Sequence, residues 1–253
     1  WVGDKVIDQV EKKSNYSERR KAVEAFNAKS KTRKRGLALV PLKFGISFTA
    51  THLNQGGALL VIYMDGSVSC NHGGTEMGQG LNTKMAQVCA DGLGIGVDKV
   101  RITATDSQKV PNASATSASS GADINGAAIM NATAQMRERL KPVAARMLGC
   151  SEADITFANS EAHGGGKSVK WEDVTKQAWL DRVGLSVTGF YMTPEIKYDF
   201  IKLNGRAFYY YCYGAAVSEV EINTRTGEWW LKAVDIVHDV GKSINPAIDK
   251  GQI

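Results

Sequence analysis

Two stretches of glycines and small polar residues could bind a ligand through their backbone. Residues 71–80 (Asn-His-Gly-Gly-Thr-Glu-Met-Gly-Gln-Gly) and residues 112–121 (Asn-Ala-Ser-Ala-Thr-Ser-Ala-Ser-Ser-Gly) each precede a predicted helix. A loop of this kind exposes N–H groups beside the positive end of the helix dipole, which suits an anion or a polar heterocycle. Gln79 adds an amide that both donates and accepts hydrogen bonds, and Gln252 adds another. Ordinary tight turns with capping Ser and Thr are the alternative interpretation.

Other chemistries find less support in the sequence. Neither loop has the lysine of a P-loop, neither fits G-x-G-x-x-G, and no G-x-S-x-G motif supports a serine nucleophile. The histidines lack partners at metal-ligand spacing, and no two of the four cysteines form Cys-x-x-Cys, so no metal site is predicted. Glu76 and Asp239 lie in glycine loops, where capping is favoured over acid–base catalysis. We therefore assign no catalytic residue to this chain.

Composition and charge narrow the class of protein. The 253 residues are 43% hydrophobic and 23% charged, as in ordinary globular proteins. No apolar run is long enough to span a bilayer, and scattered cysteines fit a reducing compartment, so we expect a cytoplasmic protein without membrane contact. Much of the net charge of +5 lies in residues 29–35, Lys-Ser-Lys-Thr-Arg-Lys-Arg. Such a run can bind nucleic acid, but without interleaved aromatic residues a solvated linker is favoured.

Hydrophobic periodicity predicts the elements that must position these loops. The predicted helices are two short amphipathic ones within residues 5–28, one after Gly80, one beginning near Asp123 and one over residues 171–180. The predicted strands are residues 37–40, 45–49, 58–63, 67–70, 100–105, 208–222 and 229–237. Asp65-Gly66 predicts a type I′ hairpin turn, and Pro41 marks an edge strand or a break. The buried stripe expected in the long helix is Met136, Leu140, Val143 and Met147, with a kink at Pro142.

The order of these elements predicts an α+β fold with mixed sheets packed with helices. In both halves two strands lead to a glycine-bearing loop and to Gly-Gln at the start of a helix, at Gly78-Gln79 and at Gly251-Gln252. This echo suggests a duplicated α/β unit. We predict a helical segment with a basic linker at residues 1–34, a first α+β unit at 35–150, and a second, truncated unit at 151–253.

Several ordered motifs resemble the molybdenum hydroxylases, which are the xanthine dehydrogenase and aldehyde oxidase family. Residues 71–80 resemble the loop with which that family holds molybdopterin, and residues 110–126 resemble a second cofactor loop. The further matches are residues 35–38 and 44–49, which resemble the segment lining the substrate channel, and residues 188–191, 213–216, 218–221, 239–241 and Asn245-Pro246. The matches cover most of residues 35–253 and are closer to xanthine dehydrogenase than to aldehyde oxidase.

The resemblance implies a function and a set of site residues. The family oxidises a purine carbon or an aldehyde carbon with water as the oxygen source, and its xanthine dehydrogenases convert hypoxanthine and xanthine to urate. Iron–sulfur clusters and FAD on other domains or subunits carry the electrons. The residues that the resemblance assigns to molybdopterin are Gln79, Thr116, Ser117, Ala118, Ser119 and Gln252. It assigns edge-on stacking with the purine to Phe48 and a hydrogen bond to Thr49, and a buried strand residue is the alternative for Phe48.

Some family segments are not found in these residues. We find no Gly-Gly-Phe-Gly-Gly-Lys-Glu segment and no Gly-Glu-Pro-Pro segment, which carries the base glutamate. We therefore interpret the sequence as a fragment of an oxidoreductase that is inactive alone. Its expected partners are the remaining molybdenum-domain segments and the iron–sulfur and FAD domains. An aldehyde oxidase-like subunit and a non-catalytic binding or assembly module are the alternatives.

Overall fold

The computed structural model describes residues 1–253 and has the α+β architecture that the sequence predicts. The helices are α1 (Val2–Ser14), α2 (Tyr16–Lys29), α3 (Leu81–Leu93), α4 (Gly121–Leu148), α5 (Trp171–Leu180) and α6 (Pro246–Gln252). The strands are β1 (Arg33–Ile46), β2 (Gln55–Ile62), β3 (Val68–His72), β4 (Val100–Ile102), β5 (Thr156–Ala158), β6 (Glu161–Gly164), β7 (Lys167–Lys170), β8 (Ser186–Met192), β9 (Lys197–Asp199), β10 (Asn204–Arg206), β11 (Tyr210–Asn223) and β12 (Trp229–His238). No helix combines the length and the hydrophobicity that a membrane span requires.

The chain divides into two compact units whose bounds differ from the predicted ones. The first unit joins Trp1–Ile46 to Tyr210–Ser243, and the second joins Ser47–Tyr209 to Ile244–Ile253. The reason is the antiparallel pairing of β1 with β11, which runs from Arg33 opposite Asn223 to Ile46 opposite Tyr210. Composition along the chain carries no information about such a distant pairing, so boundaries drawn from sequence separate strands that hydrogen-bond to each other.

The first unit is a three-stranded antiparallel sheet, β1-β11-β12, with α1 and α2 packed on it. Val6 and Val10 of α1 meet Ala215 and Val217 of β11 in a small buried core. The two predicted helices are confirmed, and Val23 is the buried residue of α2. Pro41 lies inside β1, and β1 is an edge strand, which is where a sheet tolerates proline.

The predicted solvated linker over the basic run is wrong for residues 33–35, because β1 begins at Arg33. The Arg33 and Arg35 guanidinium groups form ion pairs with Glu221 of β11, at 3.3 Å and 2.9 Å. The Lys34 Nζ donates to two backbone carbonyl oxygens, those of Asn27 and Ser30. Most of the run's charge is therefore engaged within the fold, which weakens the nucleic-acid interpretation.

The second unit contains the larger core. Its four-stranded sheet has the order β4-β3-β2-β8, and α3 and α4 pack against it. The predicted stripe of α4 is confirmed at Met136, Leu140 and Val143, which are buried. It is wrong at Met147, which is 37% exposed, because the neighbouring Leu148 turns towards the core instead. Two smaller sheets, β5-β6-β7 and β9-β10, complete the unit.

The β2–β3 hairpin is confirmed, but its turn is not of type I′. Gly66 has a φ of 84°, whereas Asp65 has a negative φ. The Asp65 carboxylate instead accepts hydrogen bonds from the N–H and the hydroxyl of Ser67. The Gly66 N–H donates to the Tyr63 oxygen, and the Tyr63 N–H donates to the Ser67 oxygen. A longer turn with a left-handed glycine closes the hairpin, and such loops follow the two-residue turns in frequency.

The pairing of β3 with β4 decides where the candidate loops lie. These two strands are parallel neighbours, and residues 73–80 follow β3 while residues 103–120 follow β4. The chain leaves parallel strands at the same edge of a sheet, so the two loops emerge side by side.

The predicted helix start at Gly251-Gln252 is wrong. Helix α6 begins at Pro246, where Asn245 caps it by accepting from the Ile248 N–H. Gly251 and Gln252 therefore lie in the last turn of that helix rather than in a loop before one.

Candidate functional site

The loop between β3 and α3, residues 73–80, is organised by one carboxylate. The Glu76 Oε1 accepts from the N–H groups of Gly78 and Gly80, and its Oε2 accepts from the N–H of Asn82 in the first turn of α3. These hydrogen bonds, led by the one from Asn82, hold the pKa of Glu76 below its usual range. The capping interpretation of Glu76 is confirmed. The prediction that this loop offers free N–H groups to an anion is wrong at these positions.

Gln79 closes the same loop from within. Its Oε1 accepts from the Met77 N–H at 2.6 Å, and its Nε2 donates to the Thr75 oxygen at 2.9 Å. An amide has two N–H donors and two acceptor sites, so one of each remains available on Gln79. The side chain is half-buried and lines a cavity.

The loop before α4, residues 112–120, has a different character. Ala118 and Ser119 have φ values of 55° and 54°, a left-handed conformation that costs free energy in residues with a Cβ. The Ser120 hydroxyl donates to the Ser117 oxygen instead of capping the helix, so the alternative interpretation of a capping serine does not apply here. The N–H groups of Ser117, Ala118 and Ser119 have no acceptor in the chain. This loop therefore presents three successive free N–H donors, whereas the N–H groups of Met77, Gly78 and Gly80 in the first loop have acceptors within that loop.

The two loops meet. The Thr75 N–H donates to the Thr116 Oγ1 at 2.8 Å, which ties the first loop to the second. Between them lies a cavity of about 290 Å³. The residues that line it are Met77, Gln79, Leu81, Lys84, Thr116, Ser117, Ser119, Gly121 and Ala122. The structure thus brings Gln79, Thr116, Ser117 and Ser119 together, while Ala118 lies in the same turn without lining the cavity.

Gln252 reaches the first loop from α6. Its Nε2 donates to the Gly78 oxygen at 3.3 Å. An ion pair at 2.6 Å between Lys84 of α3 and Asp249 of α6 fixes the helix nearby. Ile248 packs so closely on Gly80 that a Cβ added there would lie 2.6 Å from its Cγ2. Gln252 does not line the cavity and contacts the backbone of the loop.

Phe48 and Thr49 lie on a separate loop after β1. The buried Asn54 side chain accepts from the Phe48 N–H and donates to the Phe48 oxygen, both at 2.8 Å. Both predicted substrate residues are half-buried, and neither lines the cavity between the other two loops. Phe48 lies after the end of β1, so the buried-strand alternative does not apply.

Several residues of the site are not predicted from the sequence. Asn54 organises the Phe48 loop, Thr75 ties the loops at residues 73–80 and 112–120 together, and the Ser114 hydroxyl donates to the Gln55 oxygen at the start of β2. The feature of the sequence that indicates this close packing is the presence of glycine at the ends of strands. A Cβ added at Gly56 would lie 2.3 Å from the Ile124 Cγ2, and one at Gly73 would lie 2.5 Å from the Ala113 Cβ.

The two loops at this edge of the sheet belong to a chain that matches a known family. Residues 9–253 match the profile of the molybdopterin cofactor-binding domain. The chain belongs to this family.

Its relatives include xanthine dehydrogenases. It is 46% identical over 248 residues to a xanthine dehydrogenase of Oryza sativa subsp. japonica, which covers 98% of this chain and 17% of that protein. It is 47% identical over 240 residues to a xanthine dehydrogenase/oxidase of Mus musculus, which covers 95% of this chain and 17% of that protein. The chain therefore spans about a sixth of the length of these relatives.

Solved structures show the same fold. A quinoline 2-oxidoreductase from Pseudomonas putida 86 matches with a TM-score of 0.80 and 24% identity, over 98% of this chain and 32% of that one. A Cu,Mo-CO dehydrogenase matches with a TM-score of 0.79 and 23% identity, over 98% of this chain and 32% of that one. At these identities the likeness is one of fold alone.

Proposed function

We propose that this chain forms one wall of a molybdopterin site in a larger oxidoreductase, and that the loops at residues 73–80 and 112–120 face the cofactor. The observation that carries the proposal is the hydrogen bond from the Thr75 N–H to the Thr116 Oγ1, with the cavity beside it. The sequence suggests each of the two loops separately as a ligand-binding loop, and both loops line this cavity. A volume of about 290 Å³ is at the small end of ligand sites, as one wall of a divided site would give.

The groups around the cavity suit a flat heterocycle with donors and acceptors on its edge. Free N–H groups at residues 117–119 and the hydroxyls of Thr116, Ser117 and Ser119 would hold the pterin, and Gln79 retains one donor and one acceptor. Gln252 would support the first loop through its backbone. When bound, the molybdenum cofactor supplies the oxidation of a carbon with water as the oxygen source. The role of this chain is to bind and orient it.

The proposed substrate is a purine, with hypoxanthine and xanthine converted to urate in the parent protein. The support is the 46% identity to a xanthine dehydrogenase over nearly the whole chain. Phe48 would contact the ring edge-on and the Thr49 hydroxyl would hydrogen-bond it, on a loop held by Asn54. Electrons would leave through iron–sulfur clusters and FAD elsewhere in a cytoplasmic parent. The chain alone lacks the base glutamate, so we propose that it forms no urate.

The test compares two glutamine variants of the full-length parent. Gln79→Ala removes an amide that lines the cavity, whereas Gln108→Ala removes an exposed one that does not. We expect Gln79→Ala to lower bound molybdenum and xanthine turnover by about tenfold, the effect of losing one or two hydrogen bonds, and Gln108→Ala to change neither. Full molybdenum content and turnover in Gln79→Ala would contradict the proposal for this loop.

A panel of substrates separates the other interpretations. Turnover of aldehydes in preference to xanthine would favour an aldehyde oxidase-like parent. A parent that binds molybdopterin but oxidises neither class would favour a non-catalytic module. Phe48→Ala should raise the KM for xanthine without changing molybdenum content, because Phe48 lies outside the cofactor cavity.

A further inference from the structure

A buried histidine lies at the foot of the first cofactor loop. His72 is the last residue of β3 and is 2% exposed. Its Nδ1 accepts a hydrogen bond from the Gly74 N–H at 3.1 Å. An acceptor nitrogen carries no proton, so the neutral ring has its proton on Nε2. That Nε2 is buried and no group stands at hydrogen-bond geometry to it, although the Asn82 side chain lies near enough to the ring to favour its charged form.

The backbone on either side of the ring is held as well. The Thr105 hydroxyl, from the segment after β4, contacts the His72 oxygen at 3.1 Å and the Gly74 oxygen at 2.6 Å. A Cβ added at Gly74 would lie 2.7 Å from the Asn125 Nδ2 of α4 and 3.2 Å from the His72 Nδ1. The first turn of the loop is therefore packed tightly against this ring.

Three influences act on the charge of the ring. Burial is the largest and lowers the pKa of His72 from the ordinary value of 6.5. The Asn82 side chain of α3 and the Glu76 carboxylate of the loop favour the charged form, with smaller effects. Thr105 and Asn125 are neutral. Glu76 is therefore the one charged group that raises the pKa of His72 against the effect of burial.

We infer that His72 is a positioning residue, whose unprotonated Nδ1 fixes the direction in which the loop at residues 73–80 leaves β3, and that protonation of the ring releases this loop. A charged imidazole has an N–H at both nitrogens. Its Nδ1 could no longer accept from Gly74, and the buried Gly74 N–H would face a second donor. The loop would have to move to satisfy either group.

The sign of the pH dependence follows from the lowered pKa. In the folded chain the ring resists protonation, whereas in the unfolded chain it titrates near 6.5. The unfolded state therefore binds more protons below that pH. The stabilisation by the neutral ring is complete above about 6.5 and declines as the pH falls towards the lower pKa of the folded state.

The test uses nitrogen-15 NMR of the histidine rings in the 253-residue chain, together with exchange of the Gly74 amide hydrogen. The chain has four histidines, so the signals that disappear in His72→Asn identify His72. We expect the Nε2–H tautomer at neutral pH and a ring that stays neutral below pH 6.5. We expect exchange of the Gly74 amide to accelerate as the ring titrates. An Nδ1–H tautomer, or a ring charged at pH 7, would overturn the inference.

Two variants distinguish a role of His72 in positioning the loop through its hydrogen bond from a role in filling space alone. The amide oxygen of His72→Asn stands near the place of Nδ1 and can accept from Gly74, whereas the longer side chain of His72→Gln places its amide near Nε2. We expect protection of the Gly74 amide to survive in His72→Asn and to become independent of pH. It should fall about tenfold in His72→Gln, as the loss of one buried hydrogen bond would give.

If His72→Gln does not fold, the wild-type tautomer and the pH dependence of Gly74 exchange decide the question alone. Equal protection in both variants would overturn the inference. The consequence for cofactor retention rests on the proposed function and is measured separately, as molybdenum content of the full-length parent at pH 5.5 and 7.5. Unchanged content with a released loop would contradict the proposed function and leave the role of His72 intact.

Discussion

The two loops that flank the cavity differ in how they satisfy their own backbone. In the loop at residues 73–80, Glu76 and Gln79 accept from four N–H groups, those of Met77, Gly78, Gly80 and Asn82. In the loop at residues 112–120, the N–H groups of residues 117–119 have no acceptor, and three residues, Asn112, Ala118 and Ser119, have a left-handed conformation. Most N–H groups of the first loop are therefore hydrogen-bonded without a ligand, whereas three successive N–H groups of the second are not.

This difference suggests a division of roles. A loop whose N–H groups already have acceptors in the protein keeps its shape in the absence of a ligand and can serve as a support. A loop with free donors and stored strain gains most when a ligand supplies acceptors. The Thr75–Thr116 hydrogen bond lets the first loop hold the second in place.

The largest expected effect comes from crowding the supporting loop. A Cβ at Gly74 would lie 2.5 Å from the Leu81 Cδ2, so Gly74→Ala should lower the free energy of unfolding by about 2–3 kcal/mol, as overpacking does. Urea denaturation measures this. Gly251→Ala is the matched control, because nothing lies within 4 Å of its Cβ and its φ is not left-handed, and it should change little. Equal stability of the two variants would mean that the first loop is not rigid.

The next effect comes from removing the carboxylate. Glu76→Ala should lower the free energy of unfolding by about 1–2 kcal/mol, because three N–H groups lose their acceptor. Glu138→Ala, which breaks an exposed pair with Lys141, should cost about 0.5 kcal/mol or less.

The same carboxylate predicts a pH dependence. The pKa of Glu76 is lowered from 4.5 in the folded chain, so its stabilisation is present above that value and declines as the pH falls through the lower, folded pKa. Glu76→Ala should therefore narrow the difference in stability between pH 6 and pH 3. An unchanged acid profile would show that Glu76 is not the organising group of the loop.

A smaller effect should follow from cutting the tie between the loops. Thr116→Val removes the acceptor of the Thr75 N–H and should cost about 1 kcal/mol, whereas Thr116→Ser keeps the hydroxyl and should cost less. Exchange of the Thr75 amide hydrogen reports on the bond directly. If Val and Ser give the same exchange rate, the loops are held together by packing alone.

The smallest effect has the opposite sign. Ala118→Gly should raise the free energy of unfolding by about 0.5 kcal/mol, because glycine adopts the left-handed conformation without strain. Ala122→Gly, two residues into α4, should lower it by about 0.5–1 kcal/mol. A loss of stability in Ala118→Gly would argue against stored strain in the second loop.

The elements that can be predicted from the sequence are those whose structure depends on local periodicity. Residues 171–180 were predicted as a helix and form α5 with the same bounds, and the stripe of α4 is buried at three of its four predicted positions. The meeting of the two loops depends on the parallel pairing of β3 with β4, which periodicity does not reveal.

The details of the loops were harder to predict. That Glu76 reaches three N–H groups depends on backbone angles at Gly78 and Gly80, whose φ values are 99° and 76°. The sequence shows only that glycine permits such angles. The type I′ turn was wrong for a related reason, because the Asp65 carboxylate bonds to Ser67 and stabilises a longer turn.

The packing of Trp171 has a practical consequence. It is the one tryptophan of five that is fully buried, and its Nε1–H donates to the Gly66 oxygen at 2.8 Å. The other four, at positions 1, 179, 229 and 230, are 40% exposed or more. A water-soluble quencher will therefore reduce the fluorescence of these four and leave that of Trp171. The remaining emission reports on the larger core without an added label.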